Sequence, residues 1–96
     1  MKILTQTVLK DLSGKEILDE NKKGFTLGQA LGNICVSSKE EGKMKLYILG
    51  TKLFQDKDVE VDDADLNLLK NVVKKTEVYE ALIAGQCELL LDEVKK

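Results

Sequence analysis

Hydrophobic and polar positions alternate over residues 2–10. Ile3, Thr5, Thr7 and Leu9 fall on one face of an extended chain, and Leu4, Gln6 and Val8 on the other. Asp11-Leu12-Ser13-Gly14 follows, opening on a turn-favouring Asp and closing on a Gly that tolerates positive φ. Lys15-Glu16-Ile17-Leu18 then returns, so the pattern predicts a β-hairpin over residues 2–18. Residues 19–25, mostly charged and without periodicity, read as an exposed loop.

From residue 26 to 94 the period changes to that of helices. Thr26 and Gln29 have the spacing of a capping box, with Phe25 placed to staple onto Ala30 or Leu31. Leu27, Ala30, Leu31, Ile34 and Cys35 recur at i, i+3, i+4, i+7 and i+8, one amphipathic stripe. Gly28 and Gly32 sit one turn apart on that helix, a spacing that suits a close helix crossing. Ser38 and Glu41 form a second capping box ahead of a helix over 39–55. Met44, Leu46, Tyr47, Ile48, Leu49, Leu53 and Phe54 cover more than a stripe of it, which predicts a largely buried helix. After a turn at 55–58, Val59-Glu60-Val61 has room for a short extended piece. Asp62 and Asp65 cap a third helix, whose buried face is Leu66, Leu69, Val72 and Val73.

Thr76 is expected to cap a last helix over about 77–94. Three apolar sets wrap most of its circumference: Val78, Leu82, Gly85 and Leu89; Tyr79, Ile83, Gln86 and Leu90; Ala84, Cys87 and Leu91. A helix apolar nearly all round is central to the core or shared with a partner. The first set offers a full stripe to the rest of the chain. Ala84, Cys87, Leu91 and Tyr79 are therefore the candidate interaction residues. The expected fold is α+β, a single domain over residues 1–96, with an N-terminal β-hairpin followed by four helices and the last helix at the centre.

Composition narrows the chemistry. The 96 residues include no His, no Trp and no Pro, and no Arg occurs in the sequence. Without His, Ser–His and Cys–His nucleophile pairs and His-ligated zinc sites are excluded. Without Arg, the bidentate fork that reads guanine or clamps phosphate is excluded too. The 15 basic and 17 acidic residues leave a net charge of −2, so no overall field calls for a polyanion or a membrane. Cys35 and Cys87 stand in apolar helical patterns and read as reduced packing residues of a cytoplasmic protein, with a disulfide between them as the open alternative. No secretory leader or membrane span is recognised at Met1 or beyond.

The acidic run Asp56, Asp58, Glu60, Asp62, Asp63 and Asp65 resembles the opening of a calcium loop. Such a loop needs Gly at its sixth position and Glu at its twelfth. Val61 and Asn67 stand there instead. A solvated acidic surface that also caps a helix explains the run without an ion. No carboxylate is embedded in an apolar run as acid–base catalysis would require, so neither enzyme activity nor a cofactor is expected. Lys70, Lys74 and Lys75 cluster, but Asp62, Asp63 and Asp65 stand at the other end of the same helix, and the four aromatics, Phe25, Tyr47, Phe54 and Tyr79, occupy expected core positions. Nucleic acid is therefore not the expected partner.

Three stretches together resemble a known group. They are Phe25-Thr26-Leu27-Gly28-Gln29-Ala30-Leu31; Val59-Glu60-Val61-Asp62 with Asp65-Leu66-Asn67-Leu68-Leu69-Lys70; and Ala81-Leu82-Ile83-Ala84-Gly85-Gln86 with Leu89-Leu90. This plan is similar to that of short, mostly uncharacterised proteins of tailed bacteriophages and prophages, and the similarity spans roughly residues 14–91. The resemblance implies a phage origin and a part in virion assembly or host interaction. It brings no catalytic residue or cofactor. The expected function is a non-enzymatic protein-interaction module, a homo-oligomer or a binder of a phage structural or host protein. The alternative is a phage regulator that binds a host nucleic-acid enzyme or nucleic acid.

Overall fold

The computed structural model describes residues 2–39, 42–55 and 57–94. The expected Ser38–Glu41 capping box and the side chain of Asp56 lie outside the described residues. The fold is α+β: β1 (Lys2–Ile3), α1 (Leu27–Ser37), α2 (Lys43–Gln55), β2 (Val59–Glu60), α3 (Asp63–Lys75) and α4 (Ala81–Asp92).

The expected hairpin closes at its turn, where the Asp11 N–H donates to the Lys15 carbonyl (2.8 Å) and the Ile17 N–H to the Leu9 carbonyl (2.9 Å). Its first two residues leave it. β1 pairs antiparallel with β2, Lys2 opposite Glu60 and Ile3 opposite Val59, which buries Ile3 and Val59 together.

The segment expected to be a loop is a second copy of the same turn. Leu9–Glu16 and Ile17–Gly24 are tandem eight-residue units with Asp11 and Asp19 at equivalent positions. Asp11 Oδ1 accepts from the N–H groups of Ser13 (2.9 Å) and Lys15 (3.1 Å). Asp19 Oδ1 accepts in the same way from Asn21 (2.8 Å) and Lys23 (3.0 Å). Each unit needs one left-handed residue, Gly14 (φ 86°) in the first and Lys22 (φ 63°) in the second. The units close into a ring through three backbone bonds: Leu9 N–H to Phe25 O (2.8 Å), Ile17 N–H to Leu9 O (2.9 Å) and Phe25 N–H to Ile17 O (2.7 Å). Isolated bridges Val8–Thr26, Lys10–Glu16 and Leu18–Gly24 flank that ring. Leu9, Ile17 and Phe25, eight residues apart, all pack against the core.

This N-terminal layer also supplies the start of α1. The first amides of a helix have no partner within it. Here the Leu27 N–H donates to Thr7 O (2.7 Å), the Gly28 N–H to Thr5 O (2.9 Å) and the Gln29 N–H to Thr26 Oγ1 (3.2 Å). The Gln29 side chain completes the capping box by accepting from the Thr26 N–H (2.9 Å).

α1, not α4, is the centre. Seven of its 11 residues are buried, and it touches α2, α3 and α4. Its glycines allow the close approach that their spacing suggested. A Cβ on Gly28 would run into the Leu53 carbonyl oxygen, and one on Gly32 would lie 2.9 Å from the Gly50 carbonyl oxygen. A Cβ on Gly50 would in turn meet the Cys35 Cβ at 2.8 Å. α1 and α2 thus cross backbone to backbone. α3 follows its sequence closely: Asp62 caps it by accepting from the Asp65 N–H (2.7 Å), and Leu66, Leu69, Val72 and Val73 are buried.

α4 departs from its expected course. Thr76 is the C-cap of α3 rather than the start of the next helix, and its hydroxyl accepts from the Val78 N–H (3.2 Å). Helix begins only at Ala81, after Tyr79 has turned against Phe25 with ring centroids 5.8 Å apart. Only Cys87 and Leu91 of α4 are buried.

Candidate interaction surface

The expectation that α2 is largely buried is not met. Its inward stripe is Leu46, Leu49, Gly50 and Leu53. On the outward side Met44 is 78%, Tyr47 64%, Ile48 54% and Phe54 51% exposed. The reason is geometric: α2 packs chiefly on α1, and one neighbour can cover one stripe of a helix. Positions 44, 47, 48, 51 and 54 then form a second apolar stripe, facing solvent, with Thr51 in its middle. Two of the four aromatics, Tyr47 and Phe54, are therefore surface groups and not core.

The exposed stripe is continuous with its surroundings. Val36 of α1, also exposed, lines a depression of about 150 Å³ together with Gly32, Gly50, Thr51 and Phe54. Phe54 also borders a larger groove of about 490 Å³, with Ile17, Phe25, Tyr79 and Ile83 among its apolar walls. Two amides in the groove already have partners. The Asn33 amide donates to the Tyr79 hydroxyl (2.8 Å), and the Gln29 amide to Asp19 Oδ2 (3.2 Å). The Lys23 N–H, then the Gln29 amide, hold the Asp19 carboxyl below its ordinary range. A third depression, about 440 Å³, lies between the carboxyl ends of α1 and α3 and includes Ser37, Lys39, Lys75 and Thr76.

Of the candidate residues Ala84, Cys87, Leu91 and Tyr79, two are enclosed and so unavailable to a partner. Cys87 and Leu91 are 0% exposed, Ala84 is half-buried, and Tyr79 is half-buried against Phe25. Cys87 and Leu91 are core, because α4 turns them toward α3 and α1, while Tyr79, ahead of the helix, is only partly buried against that core. The set expected to face inward is the one that faces out: Leu89 is 61% and Leu82 37% exposed, Val78 is exposed, and nothing lies within 4 Å of where a Gly85 Cβ would be.

The acidic run disperses over several tasks. Asp62 caps α3, and Asp65 pairs with Lys45 of α2 at 2.8 Å. That contact holds the Asp65 carboxyl down and the Lys45 ammonium up. Asp58 takes a left-handed backbone (φ 43°) and donates its N–H to Thr5 Oγ1 (3.1 Å), while Glu60 belongs to β2 and Asp63 begins α3. Among the described residues no group of three or more Cys, Asp or Glu side chains is placed to hold a metal ion. Two of the three lysines of α3 turn toward α4: Lys70 lies 3.4 Å from Asp92 and Lys74 4.0 Å from Glu88. Both cysteines are free thiols, and burial pushes each up to about 12, far from a reactive thiolate.

One residue that holds the fold together escapes sequence reasoning. Gln86 docks α4 on the first turn unit: its Oε1 accepts from the Lys10 N–H (3.0 Å) and its Nε2 donates to the Lys10 carbonyl (2.6 Å). The only signal was a Gln within an otherwise apolar set.

Fold and surface together define a small α+β domain whose apolar residues are divided between a core and an exposed helix face. No protein-family model, curated protein or solved structure matches the chain. Among the described residues no helix is long and apolar enough to cross a membrane.

Proposed function

We propose that the protein is a non-enzymatic protein-interaction module that docks through the outer face of α2. In keeping with its resemblance to short proteins of tailed phages, the task is that of an accessory in virion assembly. The observation that supports this reading is the stripe Met44, Tyr47, Ile48 and Phe54, four large side chains each more than half exposed on one helix face. Contiguous exposed apolar surface of this kind marks sites of association. Aromatic anchors such as Tyr47 and Phe54 carry much of the energy in such contacts. The face is edged by lysines, Lys43 one turn from Tyr47 and Lys52 one turn from Ile48, and α2 contains no Asp or Glu. A partner with an apolar strip and acidic margins suits it. The engagement of Lys70 and Lys74 by Asp92 and Glu88 favours protein over nucleic acid.

A photo-crosslinking phenylalanine analogue in place of Tyr47, introduced in the cell that makes the protein, tests the proposal. Protein adducts are expected from position 47 and not from exposed Glu16 on the far turn unit. The absence of protein adducts at position 47 refutes it.

A further inference from the structure

The partner of the α2 face can be specified further, on the basis of the proposal that this face docks protein. The geometry points to a second copy of this chain, whose α4 edge covers the α2 face head to tail. The α4 edge is Leu82, Gly85 and Leu89, at i, i+3 and i+7, and it faces away from its own core. Its length, about 10 Å at 1.5 Å per residue, fits within the roughly 15 Å from Met44 to Phe54. Charge matches as well. Lys43 and Lys52 flank the α2 strip, Lys45 being held by Asp65, and Glu80 and Glu93 stand at the caps of α4, whose Glu88 and Asp92 are held by Lys74 and Lys70.

The same charges disfavour the symmetric alternatives. An antiparallel α2–α2 contact would bring Lys43 of one copy toward Lys52 of the other. An α4–α4 contact would oppose acids, and like charges placed opposite one another work against an interface. Nor can the two strips meet within one chain, because each is on the outer side of its helix, α2 packed inward on α1 and α4 on α3 and α1. Gly85 completes the match. Glycine is the poorest helix former after proline, yet nothing in its own chain approaches the place its Cβ would take. A glycine flanked by Leu82 and Leu89 leaves a hollow on the α4 surface into which an aromatic ring of α2, Tyr47 or Phe54, can seat.

A contact between two different faces is heterologous, so it repeats from copy to copy until a ring closes or a filament grows. Two variants test this, each altering one exposed side chain: Tyr47→Lys disables the α2 face and Leu89→Lys the α4 edge. In sedimentation equilibrium the parent should gain mass with concentration beyond a dimer. Each variant alone should remain monomeric at concentrations at least tenfold above those at which the parent associates, with unchanged circular dichroism. Mixed, the two should form a 1:1 complex and stop there, since one intact α2 face and one intact α4 edge remain. A monomeric parent, or a Leu89→Lys variant that still associates, or a mixture without the complex, overturns the head-to-tail contact. A monomeric parent whose position-47 adducts are other proteins overturns the self-contact and leaves the interaction module standing. A monomeric parent without adducts removes both.

Discussion

Gly28 and Gly85 are both helical glycines, and the structure assigns opposite signs to the same substitution at the two places. In open helix, replacing Gly by Ala gains about 1 kcal/mol of helix propensity. At Gly85 nothing lies within 4 Å of the new methyl, so that gain should appear almost whole. At Gly28 the methyl would run into the Leu53 carbonyl oxygen and approach the Thr5 Cβ to 2.8 Å. Neither neighbour is the far end of a flexible side chain. One is the backbone of α2, and the other belongs to the segment whose carbonyl accepts from the Gly28 N–H at 2.9 Å. Overpacking of this kind costs roughly 1–3 kcal/mol, and loosening that hydrogen bond about 1 kcal/mol more. Against a propensity gain that is smaller near a helix start, Gly28→Ala should lose about 2 kcal/mol net.

Urea unfolding followed by circular dichroism at low protein concentration measures both. With a slope of roughly 1–2 kcal/mol per molar, Gly28→Ala should lower the midpoint by about 1 M or more. Gly85→Ala should raise it by about half that. A midpoint for Gly28→Ala at or above the parent's would show that α1 and α2 do not cross backbone to backbone, and the central place given to α1 would fall with it.

Leu91, fully enclosed, should behave as core: Leu91→Ala costs about 2–5 kcal/mol, and Leu91→Lys gives an unfolded chain by circular dichroism instead of a folded smaller species. Gln86→Ala leaves the Lys10 N–H and carbonyl without their side-chain partners and should destabilise by about 1 kcal/mol, with faster hydrogen exchange at the Lys10 amide. The Ser13 side chain and the Lys15 N–H lower the Asp11 carboxyl, as the Lys23 N–H and Gln29 lower that of Asp19. Their stabilisation is therefore present above the ordinary carboxylate value and lost as pH falls through the depressed ones. NMR should show the amides of residues 13–15 and 21–23 shifting together below about pH 4, and not in a variant carrying Asp11→Asn and Asp19→Asn. Cys35 and Cys87 act at the other end: their folded values, raised by burial to about 12, sit above the unfolded value near 9. Each thiol should then remove about 1.4 kcal/mol of stability per pH unit above pH 9, a slope that Cys35→Ala reduces.

What could be read in the sequence was local. The Thr26–Gln29 capping box, the Asp62 cap, the buried stripes of α1 and α3 and the Gly28/Gly32 crossing all depend on residues within two turns of one another. Where a helix is apolar on both sides, as α2 and α4 are, spacing alone does not choose the inward side. The number of neighbours does, and that is a property of the whole fold. Hence Tyr47 and Phe54 read as core and stand exposed, while Cys87 and Leu91 read as a shared face and are enclosed. The eight-residue repeat was on view in Leu9, Ile17 and Phe25, and in Asp11 and Asp19. It was masked because Lys22 takes the left-handed position that Gly14 fills in the first unit. The partner of Gln86 is a backbone 76 residues away, and no local pattern marks it.

The number of elements in the chain explains why this fold leaves two apolar strips uncovered. α1 is enclosed at its start by the carbonyls of Thr5 and Thr7 and along its length by α2, α3 and α4. A helix so placed exhausts the chain, because a domain of this size has no further element to lay over the helices that cover it. α2 and α4 are thereby the outer layer. One inward stripe each suffices to close the core: Leu46, Leu49 and Leu53 from α2, Cys87 and Leu91 from α4. Met44, Tyr47, Ile48, Phe54, Leu82 and Leu89 are beyond what the monomer can bury. Polar residues there would cost the core nothing, yet the chain carries large apolar groups on both strips, with lysines beside one and carboxylates beside the other. The proposed association accounts for both features at once.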